Sequence, residues 1–364
     1  MNESGIKLTT YFDERARVRD GFLADALCDL YGRHQIHTSV LLRGVEGFGA
    51  HHPRQSDRLL SLSESLPAVS IAIDSRERVE EALPDVLRTA THGLVSLERA
   101  QLITGEDLGR SVLPPGPDRA VKLTLYGGRS VRSGGRSGYV EAIDVLRRCG
   151  VAGASVLLAV DGTLHGERRR ARFFARNANV PLMLLAIGDP DSINSALPQV
   201  SALLDDAVAT IERVQVCKSD GYVLAPPDPV PESDAAGLPI LHKLMIHSEE
   251  QAKVGGHPLY RELVARLREA GAAGATVLKG VRGFYGGRPA VADRLVTVQR
   301  NVPVHVVVVD TPSRMAQWWP IIDQATGEAG LITSELVPAS HAVRADRKPR
   351  LALARTPTTT DSAP

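Results

Sequence analysis

Two glycine-rich turns contain the residues whose types and spacing best suit anion binding. GVEGFG occupies residues 44–49 and GVRGFYGG occupies residues 280–287. Glycine accepts positive φ and lets backbone N–H groups come close to a phosphate, and a hydroxyl from Ser39 or Thr276 on the preceding strand could add a hydrogen bond. Such turns more often serve only to reverse the chain, and both hydroxyl residues could equally be β-formers. The residues alone leave both interpretations open.

Arginine residues follow the turns at comparable positions in three parts of the chain. They are Arg54 and Arg58, then Arg168, Arg169, Arg170 and Arg172, then Arg288 and Arg294. A guanidinium group pairs well with phosphate or carboxylate, so this pattern favours a surface that binds an anion or a partner protein. The alternative is a set of solvated charged loops, which is what runs of charge usually form.

Metal binding and catalysis have weaker support in the residues. His51 and His52 are adjacent in a loop, but no cysteine or carboxylate lies at a metal-ligand spacing and His165 does not repeat the pair. The sequence contains no GxSxG elbow, no HExxH helix and no P-loop. We therefore predict no catalytic residues, no metal and no cofactor.

Composition limits the classes of partner. Lysine and arginine number 43 against 42 acidic residues, so the formal charge of +1 gives no general attraction to nucleic acid or to an anionic membrane. The three cysteines, Cys28, Cys149 and Cys217, form no CxxC pair, which fits a reducing compartment. No signal-peptide pattern opens the chain, and the most apolar run, residues 302–309, is too short to span a bilayer. These features predict a cytoplasmic protein without membrane insertion.

Three copies of one pattern extend over most of the chain. Their anchors are TSVLLRGVEGFG with Ser39, ASVLLAVDGTLHG with Ser155 and ATVLKGVRGFYGG with Thr276. Each copy begins with a strand-like run and a helical pattern, and continues after its anchor with a proline and a second β-rich run. A further helical pattern and a closing strand complete the order β-α-β-β-α-β in all three copies.

These copies are called repeats 1, 2 and 3, and segments of another composition separate them. The predicted boundaries are residues 6–103 for repeat 1, 121–217 for the divergent repeat 2 and 240–339 for repeat 3, with linkers at 104–120 and 218–239 and a disordered tail at 340–364. The sequence therefore predicts an α+β fold of three tandem ferredoxin-like domains.

The first helix of repeat 3 has clear start and stop signals. Leu259, Leu263 and Leu267 recur at helical spacing and predict a stripe that faces a core. Pro258 suits the start of this helix, and Gly271 suits its C-terminus because glycine adopts the left-handed conformation at little cost.

The anchor segments resemble a known superfamily. IHTSVLLRGVEGFG of repeat 1 and GAAGATVLKGVRGFYGG of repeat 3 resemble the strand-and-loop signature of the PII-like trimeric signalling proteins. More narrowly, HPLYRELVARLREAGAAGATVLKGVRGFYG and the LSESLPAVSIAIDSRERVEEALP of repeat 1 resemble the domain-of-unknown-function family numbered 190, a PII-like group. The similarity covers all three repeats and is weakest in repeat 2. It implies that the three domains pack as an intrachain pseudo-trimer.

The resemblance implies a non-enzymatic regulator that senses a ligand and signals to a protein partner. In PII proteins adenine nucleotides bind in clefts between subunits, and the long loop after the turn contacts target proteins. This implies a small anionic ligand, with an adenine nucleotide as one candidate, and a protein partner that could be a transporter. Together with the arginine pattern, the predicted ligand-binding residues are Ser39, Gly44, Gly47, Phe48, Gly49, Arg58, Thr276, Gly280, Gly283, Phe284, Gly286 and Arg294.

Two departures from the PII pattern bear on the ligand. The strand positions that carry a charged ATP-binding residue in PII proteins are Ala72, Ala186 and Val308 here, and the lysine-containing loop before the closing strand is missing from all three repeats. The main alternative is a protein-interaction scaffold without a ligand, and a metal-binding tolerance protein or an enzyme is a more distant one. Polar clefts between the repeats would favour sensing, and clefts filled by side chains would favour the scaffold.

Overall fold

Each of the three repeats is a mixed α/β unit with the element order β-α-β-β-α-β among its main elements. The computed structural model describes residues 3–19, 21–49, 66–90, 93–113, 120–129, 132–133, 136–171, 180–204, 206–286, 290–292, 301–338 and 353–356.

Repeat 1 has four main strands, two helices and a short hairpin. Its elements are β1 (Glu3–Asp13), β2 (Arg17–Val18), β3 (Gly21–Phe22), α1 (Leu23–Arg33), β4 (Thr38–Phe48), β5 (Pro67–Ser75), α2 (Arg76–Thr89) and β6 (Leu94–Ile103). Ser75 begins α2 as its N-cap, because its side chain accepts a hydrogen bond from the backbone N–H of Arg78. A short 3₁₀ helix, Gly105–Arg110, follows β6.

Repeat 2 has the same main elements and additional short strands. Its elements are β7 (Ala120–Gly128), β8 (Arg132–Ser133), β9 (Arg136–Ser137), α3 (Gly138–Arg148), β10 (Gly153–Leu158), β11 (Asp161–Leu164), β12 (Glu167–Arg168), β13 (Pro181–Gly188), α4 (Pro190–Leu203), β14 (Val208–Ser219) and β15 (Tyr222–Val223). Asp189 caps α4 by accepting from the backbone N–H of Ser192, and Pro190 occupies the first turn.

Repeat 3 confirms the helix predicted from its leucine spacing. Its elements are β16 (Ile240–Glu249), β17 (Lys253–Val254), β18 (His257–Pro258), α5 (Leu259–Glu269), β19 (Ala275–Lys279), β20 (Arg282–Tyr285), β21 (Val291–Ala292), β22 (Pro303–Asp310), α6 (Pro312–Thr326) and β23 (Leu331–Pro338). Leu259, Leu263 and Leu267 are buried, Pro258 is the N-cap residue, and Gly271 has a φ of +86° just after the helix.

The four main strands of each repeat form an antiparallel sheet with one common order. This order is β6-β1-β5-β4 in repeat 1, β14-β7-β13-β10 in repeat 2 and β23-β16-β22-β19 in repeat 3. The closing strand thus lies beside the first strand, and the third strand lies between the first and the second. This is the split β-α-β arrangement of a ferredoxin-like unit.

The two helices of each repeat pack on one face of its sheet and form a separate core. The fully buried helix residues include Leu27 and Val86 in repeat 1, Leu146 and Leu197 in repeat 2, and Leu263 and Ile322 in repeat 3. Each such side chain contributes roughly 1.5–3 kcal/mol when it is buried. Within the described ranges, no helix combines the length and apolar character needed to cross a membrane.

The opposite faces of the three sheets meet in the interior. Strands from all repeats join one seventeen-stranded sheet, in which every repeat pairs with both of the others, so that the sheet closes like a barrel. Leu42 from repeat 1, Tyr126 and Met183 from repeat 2, and Leu278 from repeat 3 belong to one buried interior cluster.

The predicted disordered tail needs a correction at residues 353–356. Leu353 is 8% exposed and packs with the helix-side core of repeat 1, and Ala354 is completely buried. The physical cause is that Leu353 buries its side chain against the helix-side core of repeat 1. The remaining tail residues lie outside the described part of the chain.

Candidate functional site

The predicted turns lie at interfaces between repeats. Strand β4 of repeat 1 pairs with β19 of repeat 3, β11 of repeat 2 pairs with β4 of repeat 1, and β20 of repeat 3 pairs with β10 of repeat 2. In each case the strand that carries the glycine turn of one repeat pairs with the strand that carries the anchor residue of another repeat. The three contacts are called the 1–3, 2–1 and 3–2 interfaces. The first number is the repeat that supplies the turn, so the turn of every repeat contacts the repeat that precedes it in cyclic order.

The structure groups the predicted ligand-binding residues differently from the sequence. Thr276 of repeat 3 lies opposite Gly47 of repeat 1 at the 1–3 interface, rather than beside the turn of its own repeat. Ser39 lies opposite Thr163 of repeat 2 at the 2–1 interface. Gly283 and Phe284 lie on β20 at the 3–2 interface. The glycine turn and the hydroxyl of one repeat are separated because each pairs with a different neighbour.

Glycine at the 3–2 interface allows two backbones to approach closely. A Cβ atom on Gly283 would lie 2.7 Å from Ser155 Oγ and 2.8 Å from Pro303 Cγ. A Cβ atom on Gly280 would lie 2.8 Å from the Val156 carbonyl oxygen. These distances are too short for a Cβ atom at either position, so Gly280 and Gly283 are required for packing.

The 1–3 interface has the same requirement. A Cβ atom on Gly44 would lie 2.5 Å from Pro67 Cγ, and one on Gly47 would overlap with the carbonyl oxygen of Ala275. Gly49 follows this strand and is half-buried. Gly44 and Gly47, which could have cradled a phosphate, therefore lie against Pro67 of their own repeat and against the backbone of repeat 3.

The hydroxyl of Ser39 is engaged inside the protein. Ser39 is 1% exposed, and its Oγ accepts hydrogen bonds from both the backbone N–H and the Oγ1 hydroxyl of Thr163, each at 2.9 Å. Thr276 is also buried. These contacts assign the two hydroxyl residues to interface packing, and their contact with a ligand stays a prediction.

Aromatic residues of two turns insert beside the core of a neighbouring repeat. Phe284 of repeat 3 is 3% exposed and belongs to the helix-side core of repeat 2. Phe48 of repeat 1 packs against the core of repeat 3, where the Arg268 guanidinium lies 5.2 Å from its ring centroid. Repeat 2 carries no aromatic residue in its turn. Gly286, after β20, has a φ of +58°, and a Cβ atom there would overlap with Asp220.

The described arginines of the repeat 2 turn, Arg168, Arg169 and Arg170, are paired with carboxylates. Arg168 lies 2.5 Å from Asp161 and 3.1 Å from Asp25, and it also pairs with Asp29 of α1. Hydrogen bonding to Asp161 raises the pKa of Arg168 above its ordinary value. Arg170 pairs with Asp25 at 3.0 Å. Carboxylates of repeats 1 and 2 thus occupy the position that the sequence pattern suggested for an anionic ligand.

Charged pairs also connect the other two interfaces. Arg282 of β20 lies 2.6 Å from Asp144 of α3 at the 3–2 interface. Glu46 of β4 lies 3.4 Å from Arg261 of α5 at the 1–3 interface, with the charges reversed. In every interface a charge near the turn meets the first helix of another repeat.

The predicted arginines of the other loops fall outside the structural description. They are Arg54, Arg58, Arg172, Arg288 and Arg294, together with the His51–His52 pair. Their roles stay predictions.

Six buried charges form a ring where the three sheets meet, and the motif analysis missed them. Each repeat supplies a lysine from its first strand and a glutamate from its closing strand. The six are Lys7, Lys122 and Lys243 with Glu98, Glu212 and Glu335, each no more than 8% exposed. Each lysine contacts the glutamate of its own repeat and that of another, and this Lys–Glu ring alternates in sign.

The ring is held by short contacts between buried side chains. Lys7 and Lys243 lie 2.7 and 2.6 Å from Glu98. Burial raises the pKa of Glu98, but these two ammonium groups outweigh it and hold the pKa well below its ordinary value. Burial lowers the pKa of Lys7, but Glu212 and Glu98 outweigh it and raise the pKa. For Lys122 burial prevails and lowers the pKa.

The three glutamates do not form a metal site that suits this interior. Oxygen atoms of Glu98, Glu212 and Glu335 lie within 4.8 Å of one another. The three lysine ammonium groups already neutralise these carboxylates, and a metal ion between them would face three like charges. The arrangement is therefore a charge-compensated structural ring rather than a metal centre.

Two histidines interrupt the similarity of the repeats beside the 3–2 interface. His247 of β16 and His305 of β22 are cross-strand partners whose Nδ1 atoms lie 2.9 Å apart, so one ring donates to the other. In repeat 2 the corresponding cross-strand pair is Tyr126 with Met183. Burial lowers the pKa of His305 to about 4 and holds the pKa of His247 well below its ordinary value, which makes both rings neutral at neutral pH.

Two cavities accompany these features. One of about 10 Å³ lies at the 3–2 interface between Ser155, His247 and Phe284, and it has room for a single water molecule. Another, of about 490 Å³, lies over α3 and α4 of repeat 2 and is lined by charges of both signs, including Arg148 and Glu141. The smaller cavity lacks the volume of a nucleotide cleft, and the larger one lies on a single repeat, where Glu141 and Asp144 accompany its arginines.

One protein-family model matches all three repeats. The model of domain-of-unknown-function family 190, described as "Uncharacterized ACR", matches residues 5–102, 120–216 and 241–339. A "UPF0166 protein" of Aquifex aeolicus (strain VF5) is 28% identical over 93 residues, which are 25% of this chain and 86% of that protein.

One solved structure also matches, but only weakly. The crystal structure of a putative glycine cleavage system transcriptional repressor covers 60% of this chain and 95% of its own, with 12% identity and a TM-score of 0.18. A similarity this low carries no argument about fold or function.

Proposed function

Because the chain belongs to the PII-like domain-of-unknown-function family 190 and contains three tandem copies of its domain, we propose that it is a non-enzymatic regulatory protein built as an intrachain pseudo-trimer. In this proposal it senses a small anionic ligand, with an adenine nucleotide as one candidate, and signals to a protein partner through its loops. The cytoplasm is its proposed location.

One observation carries the proposal. The strands that carry the turns, β4, β11 and β20, each pair with a strand of another repeat. In the sequence, each is followed by a longer segment before the next main strand. These segments include residues 50–65, 172–179 and 293–300, and each comes in the sequence after a strand that pairs across an interface between two repeats. A ligand held by one of them could change the contact of a partner without any rearrangement of the cores.

The charges available for a ligand are those of the loops rather than those of the interfaces. Ser39 is satisfied by Thr163, and Arg168 is satisfied by Asp161 of its own repeat and by Asp25 of repeat 1. Arg58 and Arg294 thus become the main proposed anion-binding residues, since a guanidinium group forks well onto phosphate or carboxylate.

A thermal-shift screen with ATP, ADP, AMP, cyclic nucleotides, bicarbonate and fluoride tests this function. A ligand at 100 times its Kd stabilises the folded state by about 2.7 kcal/mol, so a true ligand raises Tm. The Arg58→Ala/Arg294→Ala variant should lose that rise. The matched control is Arg76→Ala, which removes an exposed arginine paired with Glu80 on α2 and should keep the rise.

A second candidate function has its own observation in favour. The three interfaces are filled by backbone and side chains in their described parts, as expected for a protein-interaction scaffold without a ligand. No Tm rise with any compound, together with retained capture of a specific protein by the purified chain, would favour the scaffold. A Tm rise that persists in the double arginine variant would remove Arg58 and Arg294 from the ligand site.

A further inference from the structure

The helix-side core of a repeat is completed by chain that follows the closing strand of another repeat. Ile103, at the end of β6, and Leu108 and Leu113 after it are buried in the core of repeat 2. Cys217, near the end of β14, is buried in the core of repeat 3. The core of repeat 1 receives Leu353 from the C-terminal segment.

The C-terminal segment is held by main-chain contacts as well as by its leucine. The Arg99 guanidinium donates to the carbonyl oxygens of Ala354, at 2.8 Å, and of Leu353, at 3.1 Å. The backbone N–H of Arg355 donates to Asp234 Oδ2 at 2.8 Å. Asp234 lies before repeat 3, so the segment connects repeat 1 to the linker between repeats 2 and 3.

We propose that repeat 1 carries a peptide-binding groove, formed by its core, Arg99 and Asp234, and that residues 353–356 are a tethered occupant of this groove. The groove accepts an extended segment with a leucine followed by a small residue. Arg99 recognises the two main-chain carbonyl groups, Asp234 recognises one main-chain N–H, and the core recognises the leucine. A partner protein that presents such a segment would compete with the C-terminus.

The contacts suit an occupant that can exchange. The segment contributes one large apolar side chain and three hydrogen bonds to main-chain atoms, all of which another extended peptide could reproduce. Covalent attachment gives the segment a high effective concentration at the groove, so that a modest intrinsic affinity keeps it bound. This inference does not depend on the anionic ligand proposed above.

Arg99 has a matched counterpart that lacks this role. It follows Glu98 of the Lys–Glu ring on the closing strand of repeat 1, and Arg213 follows Glu212 in the same way in repeat 2. Both arginines are exposed, but Arg99 donates to the C-terminal segment, whereas the core of repeat 2 is completed by Leu108 and Leu113. Replacing each arginine in turn therefore separates groove recognition from loss of a surface charge.

The test uses a fluorescent peptide of residues 350–357, RLALARTP, and full-length protein. The Leu353→Asp chain releases its own segment and should bind the peptide at least about tenfold more tightly than the wild-type chain. A peptide that carries the same Leu353→Asp change should bind neither. In the Leu353→Asp chain, Arg99→Ala should abolish peptide binding and Arg213→Ala should leave it unchanged.

Equal peptide affinity for the wild-type and Leu353→Asp chains would overturn the proposal, as would binding that survives Arg99→Ala. Absence of binding to a folded Leu353→Asp chain would overturn it as well. Circular dichroism establishes that the variant is folded. If it is not, the milder Leu353→Ser chain takes its place, with the same expected gain in peptide affinity. The thermal-shift screen is independent of all these outcomes, so failure of one proposal leaves the other testable.

Discussion

The Lys–Glu ring and the three interfaces teach different lessons about fused repeats. The ring uses one lysine and one glutamate from every repeat without exception. The interfaces have diverged: Ser39 meets Thr163 in one, whereas Ser155 meets Gly283 in another. Each ring charge contacts two partners and cannot change alone, while each interface pair can change with a single partner. In a fused chain the interface residues can therefore differ from one repeat to the next, while the ring residues stay the same in all three.

The largest expected effect comes from breaking the ring. Glu98→Ala leaves the buried ammonium groups of Lys7 and Lys243 with one carboxylate neighbour fewer. Removing one partner of a buried ion pair costs about 3–5 kcal/mol, so the free energy of unfolding in urea should fall by about that amount. The control Glu80→Ala removes an exposed partner of Arg76 and should cost about 0–0.5 kcal/mol. Similar losses for both variants would show that the ring is not desolvated.

A methyl group at an interface glycine should have the next largest effect. In Gly283→Ala the new Cβ would lie 2.7 Å from Ser155 Oγ and 2.8 Å from Pro303 Cγ, so the two strands must separate. Overpacking of this kind costs about 1–3 kcal/mol. Gly127→Ala is the matched control, because its Cβ would meet Ala207 Cβ at an ordinary 3.7 Å. Chemical denaturation of both variants measures the difference, and an equal cost would contradict the close approach at the interface.

The histidine pair should make stability depend on pH within a defined range. The folded pKa of His305 is about 4, below the value near 6.5 that an unfolded histidine has, and that of His247 is lowered too. Between those values the unfolded chain binds more protons than the folded one, so stability falls as pH drops from 6.5 towards 4. The slope is about 1.4 kcal/mol per pH unit for each histidine.

Placing the corresponding residues of repeat 2 at the two histidine positions tests the source of this pH dependence. The His247→Tyr/His305→Met variant copies the Tyr126 and Met183 pair and should flatten the pH dependence between 6.5 and 4. His242 keeps a smaller dependence in the variant, because burial lowers its pKa to about 4 as well. Urea denaturation at several pH values measures the slope. A slope equal to that of the wild type would mean that the pair is not protonated on unfolding.

The sequence predicted the repeats but not the partners of their residues. Recurring apolar runs, prolines and glycine turns predict β-α-β-β-α-β three times, because these signals are local. Whether Gly47 faces a phosphate or the backbone at Ala275 depends on how repeats 1 and 3 pack, which no local pattern contains. The arginines illustrate the same limit, since Asp25 of a distant helix is what neutralises Arg168.

The ring did leave a signal in the sequence. A lysine stands in the first strand of each repeat, in IKLTTY, VKLTLY and LHKLMIH, and a glutamate stands in each closing strand, in SLERA, TIERV and TSELV. Strand alternation predicts an exposed face for charged residues, because lysine and glutamate are rarely buried unless they are paired. Only the superposition of three copies shows that the six charges can compensate one another. Paired recurrence in repeats is thus a usable signal for buried ionic rings.

The smallest expected effect is a difference between the charged pairs of the 3–2 and 1–3 interfaces. Arg282 is 20% exposed in its side chain and lies 2.6 Å from Asp144, whereas Arg261 is 64% exposed and lies 3.4 Å from Glu46. Solvent screens the second pair more strongly, so Arg282→Ala should cost about 1 kcal/mol and Arg261→Ala about 0–0.5 kcal/mol. Added salt should weaken stability less in Arg282→Ala than in the wild type, because the lost pair is the one that salt screens. Equal costs for the two variants would contradict the expected difference in solvent screening between the two pairs.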